Sequence, residues 1–333
     1  MPIPFIIAGV ALVAGGYGVK KGIDAKGDFD EAKENNEEAQ SIYDNAKEEL
    51  EKNKEKTNNS LEKLGFIKAS IYDESLSDFM DIFGEIKNID FEDNLALGTL
   101  SSVDKQDILD IKNTILEMKE LLGGGVAALG SGALAGFGAL GGVGVLASAS
   151  TGTAIASLSG VAATNATLAW LGGGALSAGG FGMAGGMAVL GGIVAGPVLA
   201  VGGVMMASKA ETAKYDSESN LEQAKVAREE MESASFVLDG IYQRSVEFVD
   251  ILEPLNDMFE DYIEKMEEIV DKSVDYRTYT SSEKEIILIT ASIAKTVKNI
   301  CDAPVIDEDG EVTRKSKRVL RKAKKLTEKL QEV

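Results

Sequence analysis

The chain contains no histidine, a single cysteine and five prolines, and only 6% of its residues are aromatic. Without histidine it lacks the most common general base, the serine–histidine–aspartate triad and the most usual zinc ligand. The single cysteine, Cys301, excludes an intramolecular disulfide and is expected to be a small core residue. We therefore predict that the protein is not an enzyme and that it has no cofactor and no metal site.

Charge is also absent from one long stretch, because no residue between Leu121 and Ser208 is charged. The flanking regions are acidic, with a net charge of −14 over residues 24–120 and −16 over residues 210–313. Residues 314–333 carry +7, and the whole chain carries −20. A polyanion would be repelled by this net negative charge, so nucleic acid is not an expected partner.

The uncharged segment 121–208 holds 25 of the 36 glycines. It far exceeds the length of about 18 apolar residues that indicates a membrane helix. Two apolar arms, 121–149 and 168–207, flank a small polar stretch, 150–167, and this order predicts a helical hairpin. Leucine and isoleucine are sparse in it, so insertion is expected to be marginal and conditional. The alternative is a hairpin buried permanently inside a soluble bundle.

Small residues four apart lie on one face of a helix and let two helix backbones approach closely in lipid. The glycines expected to pack helices in this way are Gly132, Gly136, Gly138, Gly142, Gly182, Gly186, Gly192 and Gly196. The polar residues expected at the hairpin tip, where they would line a pore or cross the bilayer first, are Thr151, Thr153, Ser157, Ser159, Thr164, Asn165 and Thr167.

Before the uncharged segment, apolar residues at steps of three and four predict acidic helices. Residues 28–63 form a polar helix with a thin apolar seam of Ala32, Ala39, Ile42 and Ala46. Residues Ser75–Ile89 show a stronger stripe of Leu76, Phe79, Phe83 and Ile86. A third stripe of Ile108, Ile111, Ile115, Met118 and Leu122 leads directly into the uncharged segment.

After the uncharged segment, a heptad seam continues for more than six repeats and predicts a helix over residues 210–275. Pro254 should kink this helix. Val237, Val249, Ile251 and Ile263 widen the stripe, as in a bundle of three or more helices. The seam consists of Ala224, Ala227, Met231, Ala234, Leu238, Ile241, Ser245, Phe248, Leu252, Leu255, Phe259, Tyr262, Met266 and Ile269.

The C-terminal region predicts two more helices. Ser282 with Glu285 matches a capping box, followed by an apolar face from Ile286 to Ile300. Arg314–Leu330 reads as a basic helix with an apolar side. Its bases are expected either to bind anionic lipid headgroups or to dock on the acidic helices of the same chain. The predicted headgroup ligands are Arg314, Lys315, Lys317, Arg318, Arg321, Lys322, Lys324 and Lys325.

The N-terminal residues 2–19 are apolar and long enough for a short membrane helix or a buried one. The first charges follow this run instead of preceding it, so no cleavable signal peptide is evident. The predicted organisation is an apolar N-terminal helix (1–23), an acidic helical arm (24–120), the glycine-rich hairpin (121–208), a long heptad helix (209–278) and C-terminal helices with a basic tail (279–333).

The run STGTAIASLSGVAATNATLAWLGGGALSAGGFGMAGGMAVLGGIVAGPVLAVGG (150–203) resembles a segment of poorly characterised bacterial glycine-zipper membrane proteins. The opening FIIAGVALVAGGYGVKKGIDA (5–25) resembles the start of the same group. In layout the chain is similar to α-helical pore-forming toxins and to apolipoprotein L-like proteins. The resemblance implies a membrane protein and supplies no catalytic residue.

These observations predict an elongated all-α protein, a coiled-coil or helical bundle with an apolar hairpin. We expect it to be cytoplasmic in a soluble form, membrane-associated, or both. The leading hypothesis is that the hairpin inserts into a lipid bilayer, oligomerises as a homo-oligomer and permeabilises or remodels the bilayer. The alternatives are a membrane-anchored scaffold that recruits a helical protein partner through its arms, and a soluble structural bundle.

Overall fold

The computed structural model describes residues 19–91, 103–122, 125–126, 129, 131–141, 210–307 and 310–330. Over these residues the protein is an all-α helical bundle, which confirms that part of the predicted fold class. The described backbone forms a short 3-10 turn at Tyr276–Thr278 and the α-helices α1 (Val19–Asp73), α2 (Ser75–Phe83), α3 (Lys105–Leu122), α4 (Ser131–Leu140), α5 (Ala210–Lys272), α6 (Ser281–Cys301) and α7 (Arg314–Leu330).

The chain divides into two compact units. Unit 1 comprises Met1–Lys54 and Gly191–Phe236, and unit 2 comprises Glu55–Leu190 and Val237–Val333. The described part of unit 1 is therefore the first part of α1 together with the first part of α5. The later parts of both helices belong to unit 2 with the remaining helices.

In unit 1, α1 and α5 run parallel. Asn35 Nδ2 donates to Ser217 Oγ at 3.3 Å, and Asn220 Nδ2 donates to Asn36 Oδ1 at 3.0 Å, so residue numbers rise together along the two helices. The seam between the helices consists mainly of small side chains. Its buried members are Ala32, Ala39, Ala46 and Leu50 on α1 and Ser217, Ala224, Ala227, Met231 and Ala234 on α5.

In unit 2, the same two helices are again parallel. Thr57 Oγ1 donates to the Leu238 carbonyl at 3.1 Å, Ser60 and Ser245 share a hydroxyl contact, and Lys63 pairs with Glu253 at 3.0 Å. Here α3 packs against α2 and α6, and α7 packs against α6. The seam residues of α5 are now large, with Phe248, Leu252, Leu255 and Phe259 each fully buried.

The predicted heptad seam of α5 is confirmed almost residue by residue. Every member from Ala224 to Ile269 is buried except Tyr262, which is half-buried. The helix continues through Pro254 and ends at Lys272. The prediction that Val237 belongs to the widened apolar stripe is wrong, because Leu238 occupies the seam and Val237 is 43% exposed.

Several predicted helix boundaries are wrong. The helix predicted over residues 28–63 is part of a longer helix, α1, that runs from Val19 to Asp73. The stripe from Leu76 ends with α2 at Phe83 instead of continuing to Ile89. Beyond it the Lys87 backbone pairs with the chain after α5, donating to Val274 O at 2.7 Å and accepting from Tyr276 N at 3.1 Å. The capping box of α6 is formed by Thr280 and Glu283, not by Ser282 and Glu285.

The start of the uncharged segment differs from one continuous apolar arm. Helix α3 ends at Leu122, Gly125 has a φ of +81°, and a new helix, α4, begins only at Ser131. Among the helices of the described residues, none combines enough length with enough apolar character to cross a membrane.

Candidate functional site

Helix α4 is the one helix that lies wholly within the described part of the uncharged segment, and it is packed into the core of unit 2. Leu134, Ala135, Phe137 and Ala139 are buried there. The helix covers 10 residues, which is about 15 Å of axial rise, whereas a hydrocarbon core is about 30 Å thick. The environment of α4 in this structure is therefore other helices of the same chain.

Two glycines allow α4 to cross α1 in direct backbone contact. A Cβ atom on Gly138 would lie 2.0 Å from the Leu61 carbonyl oxygen, and one on Gly65 would lie 1.8 Å from the Leu134 carbonyl oxygen. Real Cβ atoms do not make contacts this short, so only glycine fits at either position. The crossing of α1 and α4 is thus set by Gly65 and Gly138.

The buried Lys68 side chain joins three parts of unit 2. Its Nζ donates to the Gly138 carbonyl at the end of α4 at 3.3 Å and to the Ala303 carbonyl after α6 at 3.2 Å. The ammonium also lies 4.9 Å from the centroid of the Phe248 ring on α5. Burial lowers the pKa of Lys68 to about 8, and the nearby Cys301 and Asp302 oppose that shift.

Acidic and thiol groups complete this buried cluster. Asp302 accepts hydrogen bonds from Tyr72 Oη at 2.5 Å and from Lys298 Nζ at 2.6 Å. Burial and the Asp302 charge raise the pKa of Tyr72 well above its ordinary value. Burial raises the pKa of Cys301 to about 12, so the thiol stays protonated and unreactive. Both Lys68 and Cys301 are inaccessible to solvent, and the hydrogen bonds of the cluster join α1, α4 and the end of α6.

Backbone contacts fix the end of α4 to the loop after α6. Val305 N donates to the Ala139 carbonyl at 2.7 Å. Gly141 has a φ of +61°, and a Cβ there would lie 2.7 Å from the Ala303 carbonyl oxygen. Gly141 is therefore the described residue at which the chain turns out of α4 without obstructing this loop.

The second candidate site is the basic face of α7. The predicted apolar side is Val319, Ala323, Leu326 and Leu330, and the last three of these are buried. Val319 is half-buried, and Leu320, which was not predicted, is buried in its place on the side that packs against α6. All eight predicted headgroup ligands, from Arg314 to Lys325, are exposed. In the described ranges none of these eight side chains forms an ion pair. Whether they bind lipid stays a prediction.

The other predicted site residues lie either on α4 or outside the residues that the structure describes. Gly132, Gly136 and Gly138 lie on α4, and Gly138 contacts α1 of the same chain. Outside the described residues lie Gly142, Gly182, Gly186, Gly192, Gly196 and all seven tip residues, Thr151, Thr153, Ser157, Ser159, Thr164, Asn165 and Thr167.

Lys68 and Gly65 were missed by reasoning from the sequence. A signal for Lys68 exists, because the seam of α1 continues from Leu50 through Leu61 and Leu64 and then reaches this lysine at the next seam position. A charged residue in an apolar seam requires a buried partner. Gly65 has no such signal, since its role depends on a helix about seventy residues away in the sequence.

Comparison with protein-family models, curated proteins and solved structures returns no match for this chain. The resemblance to glycine-zipper proteins therefore stays a prediction. In the described part of the chain, no acidic or cysteine side chains gather into a group that could hold a metal ion.

Proposed function

We propose that this chain is a helical membrane protein that inserts its uncharged segment into a bilayer, assembles through small-residue faces and permeabilises or remodels the bilayer. The observation that carries the proposal is the parallel direction of α1 and α5 in unit 1. The apolar residues 2–19 lead into α1, and the uncharged segment leads into α5. Because the helices are parallel, both apolar stretches join unit 1 at the same end of the helix pair.

The register of the pair supports a common attachment level. Asn36 contacts Asn220; the apolar stretch 2–19 ends 17 residues before Asn36, and the uncharged segment ends at Ser208, 12 residues before Asn220. The difference of five residues corresponds to about 8 Å along helix axes. One bilayer surface could therefore receive both apolar stretches.

Basic residues mark the two junctions. Lys20 and Lys21 directly follow the first apolar stretch, and Lys209 directly follows the uncharged segment. Lysines at this place are typical of the boundary between a membrane-embedded segment and an anionic leaflet. The acidic stretches begin only beyond these junctions.

The packing of α4 in unit 2 shortens the segment that we propose to insert into the bilayer. Helix α4 and Gly141 pack against other parts of unit 2, so the part proposed to insert is 142–208, not the whole of 121–208. Its 67 residues still exceed two membrane crossings of about 20 residues each. The predicted polar tip lies within this shorter segment.

One observation favours a second candidate, a membrane-anchored helical scaffold without pore activity. Lys68 and the glycine crossing hold α4 firmly in unit 2, so the first part of the predicted hairpin is committed to the protein core. A folded helical unit attached to a membrane anchor could recruit partners without opening the bilayer.

An environment-sensitive fluorophore tests insertion in the full-length protein. It would be attached to single cysteines that replace Leu12, Val194 or Ser233, in a Cys301→Ala background. Addition of vesicles of phosphatidylcholine mixed with phosphatidylserine should shift the emission to the blue at positions 12 and 194. The matched position 233, which is exposed on α5, should not change.

Release of a vesicle-trapped dye then decides between the candidates. Insertion with dye release supports permeabilisation, and insertion without release supports the anchored scaffold. A shift at position 12 alone would refute insertion of the uncharged segment. No shift at either position would favour a soluble structural bundle.

A further inference from the structure

The basic residues of α7 form one continuous face. At 100° per residue, its nine lysines and arginines cover about half of the helix circumference, and the buried residues Ser316, Leu320, Ala323, Leu326 and Leu330 occupy the other half. Arg314, Arg318, Arg321 and Lys325 follow one another at steps of three and four along the centre of the basic half. One acidic residue, Glu328, lies in the same half.

This charge cluster is unfavourable within the isolated protein. Like charges three or four residues apart on a helix repel one another. Other bases in unit 2 have acidic partners, for example Lys295 with Asp107 at 2.7 Å and Lys298 with Asp302 at 2.6 Å. The eight bases from Arg314 to Lys325 have none among the described residues, so the chain's own acidic helices do not neutralise them there.

The apolar half of α7 restricts how the helix can meet a partner. Amphipathic helices that enter a bilayer do so with their apolar face. In α7 that face is already buried against α6, with Ala323 fully inaccessible to solvent. The helix therefore offers a partner only charge.

We propose that the basic face of α7 is an electrostatic docking surface for an anionic bilayer and that it binds without inserting. The proposal rests on the proposed membrane function and adds its lipid preference. A bilayer is favoured over a nucleic acid because the rest of the chain is strongly acidic. A flat anionic surface can meet one half of a straight helix, and exposed charges more than a Debye length of about 10 Å from that surface are largely screened from it.

The test compares two full-length variants with the same change in charge. The docking variant carries Gln at the centre of the basic face, and the control variant carries Gln at four exposed lysines outside α7, so each shifts the net charge from −20 to −24. The docking variant is Arg314→Gln, Arg318→Gln, Arg321→Gln and Lys325→Gln. The control variant is Lys47→Gln, Lys105→Gln, Lys112→Gln and Lys119→Gln.

Binding is measured by co-sedimentation with vesicles of phosphatidylcholine alone or mixed with phosphatidylserine. Each base near an anionic leaflet contributes about a fivefold change in partitioning, so the docking variant, which lacks four of them, should bind the mixed vesicles several hundredfold more weakly. The control variant should bind as the wild type does, and high salt should weaken the wild type in the same way as the four substitutions. The thermal midpoint of the docking variant should be unchanged or higher, because repulsion is relieved.

Several results would overturn the proposal. The proposal is wrong if the docking variant binds the mixed vesicles as tightly as the wild type, or if the control variant loses as much affinity as the docking variant. It is also wrong if the affinity of the wild type does not depend on salt concentration. A stronger preference of the wild type for single-stranded RNA than for mixed vesicles, lost in the docking variant, would assign the face to nucleic acid instead. The fluorophore at position 194 separates the two proposals. If vesicle binding is salt-sensitive but the emission does not shift to the blue, the insertion proposal is wrong and the docking proposal stands. If the emission shifts to the blue but binding is not salt-sensitive, the docking proposal is wrong and the insertion proposal stands.

Discussion

Replacing Gly138 with alanine should destabilise the protein, although the same substitution usually stabilises a helix. The added Cβ would lie 2.0 Å from the Leu61 carbonyl oxygen and 2.9 Å from Gly65 N, and both are backbone atoms of α1 that cannot rotate away. Ordinary contact with a Cβ begins at 3.4 Å, so α1 and α4 would have to separate by about 1.4 Å.

That separation has consequences beyond the local contact. The hydrogen bond from Lys68 Nζ to the Gly138 carbonyl is already 3.3 Å long and would be lost if the backbones moved apart. The neighbouring core around Leu134 and Phe137 would lose its close packing. Overpacking typically costs about 1–3 kcal/mol, and a weakened charged hydrogen bond adds about 1.5–3 kcal/mol, so we expect a loss of about 3 kcal/mol or more.

Urea unfolding followed by circular dichroism measures this loss, and Gly240→Ala is the matched control. Gly240 also lies within a helix, but a Cβ there would have its nearest neighbour, Val312 Cγ2, at 3.9 Å. Alanine at 240 should therefore stabilise by up to about 1 kcal/mol through helix propensity. If Gly138→Ala raised the urea midpoint as Gly240→Ala should, α4 would not cross α1 at Gly138 and the reasoning would fail.

Three other substitutions test buried or capping groups by urea unfolding. The pKa of Lys68 is lowered to about 8 from 10.5, so the unfolded chain binds more protons at this group, and Lys68 should raise the free energy of unfolding by about 1 kcal/mol from pH 8 to pH 9. The Cys301 thiol, whose pKa is raised from 9.0 to about 12, opposes the rise over the same range in the wild type and in Lys68→Met alike, so the expected result is that Lys68→Met lacks this contribution of about 1 kcal/mol relative to the wild type. Thr280→Ala removes the N-cap of α6 and should lower the free energy of unfolding by about 1 kcal/mol; an unchanged value would show that the cap is not formed. Leu252→Asp should lower the free energy of unfolding by more than about 3 kcal/mol, because residue 252 is fully buried. The control Leu116→Asp, at a position that is 56% exposed, should lower it by less than about 0.5 kcal/mol. Equal losses would show that the seam is misassigned.

The helices that the sequence predicts best are those with large residues in a regular seam. The stripe of α5 from Leu238 to Ile269 is buried as its spacing indicates, since only one face of a helix can satisfy steps of three and four. The basic helix α7 begins and ends where its pattern does. In both helices the determining information is local.

The missed helix cap shows where local information is ambiguous. The sequence TSSEKE from Thr280 offers two capping boxes, because both Thr280 with Glu283 and Ser282 with Glu285 have the required spacing. The preceding turn selects the first, since Tyr276 and Tyr279 are both buried and hold the chain just before Thr280. Such a choice depends on tertiary packing.

The partial burial of the uncharged segment was beyond sequence reasoning for a different reason. An apolar, glycine-rich helix has the same composition whether it lies in lipid or in a protein core. The choice for α4 is made by Gly65 and Lys68, which lie on α1, far from α4 in the sequence. The parallel direction of α1 and α5 is likewise invisible in the heptad pattern, which fits either direction; the contacts of Asn36 with Asn220 and of Asn35 with Ser217 reveal it.

The composition of the α1–α5 seam bears on how membrane insertion could be conditional. In unit 1 the buried seam is largely alanine, with Ala39 and Ala227 as examples, and in unit 2 it contains Phe248, Leu252 and Phe259. Each buried methylene contributes about 0.8 kcal/mol, so an alanine seam holds two helices far less strongly per turn than a leucine and phenylalanine seam. The half-buried pair of Asn36 and Asn220 fixes the register of unit 1 at a further cost in stability. The two apolar stretches thus join the chain where the helix pair is held least strongly, while α4 is anchored where packing is strongest. If insertion requires α1 and α5 to separate, unit 1 is where separation needs the least free energy, and unit 2 can remain folded while it occurs.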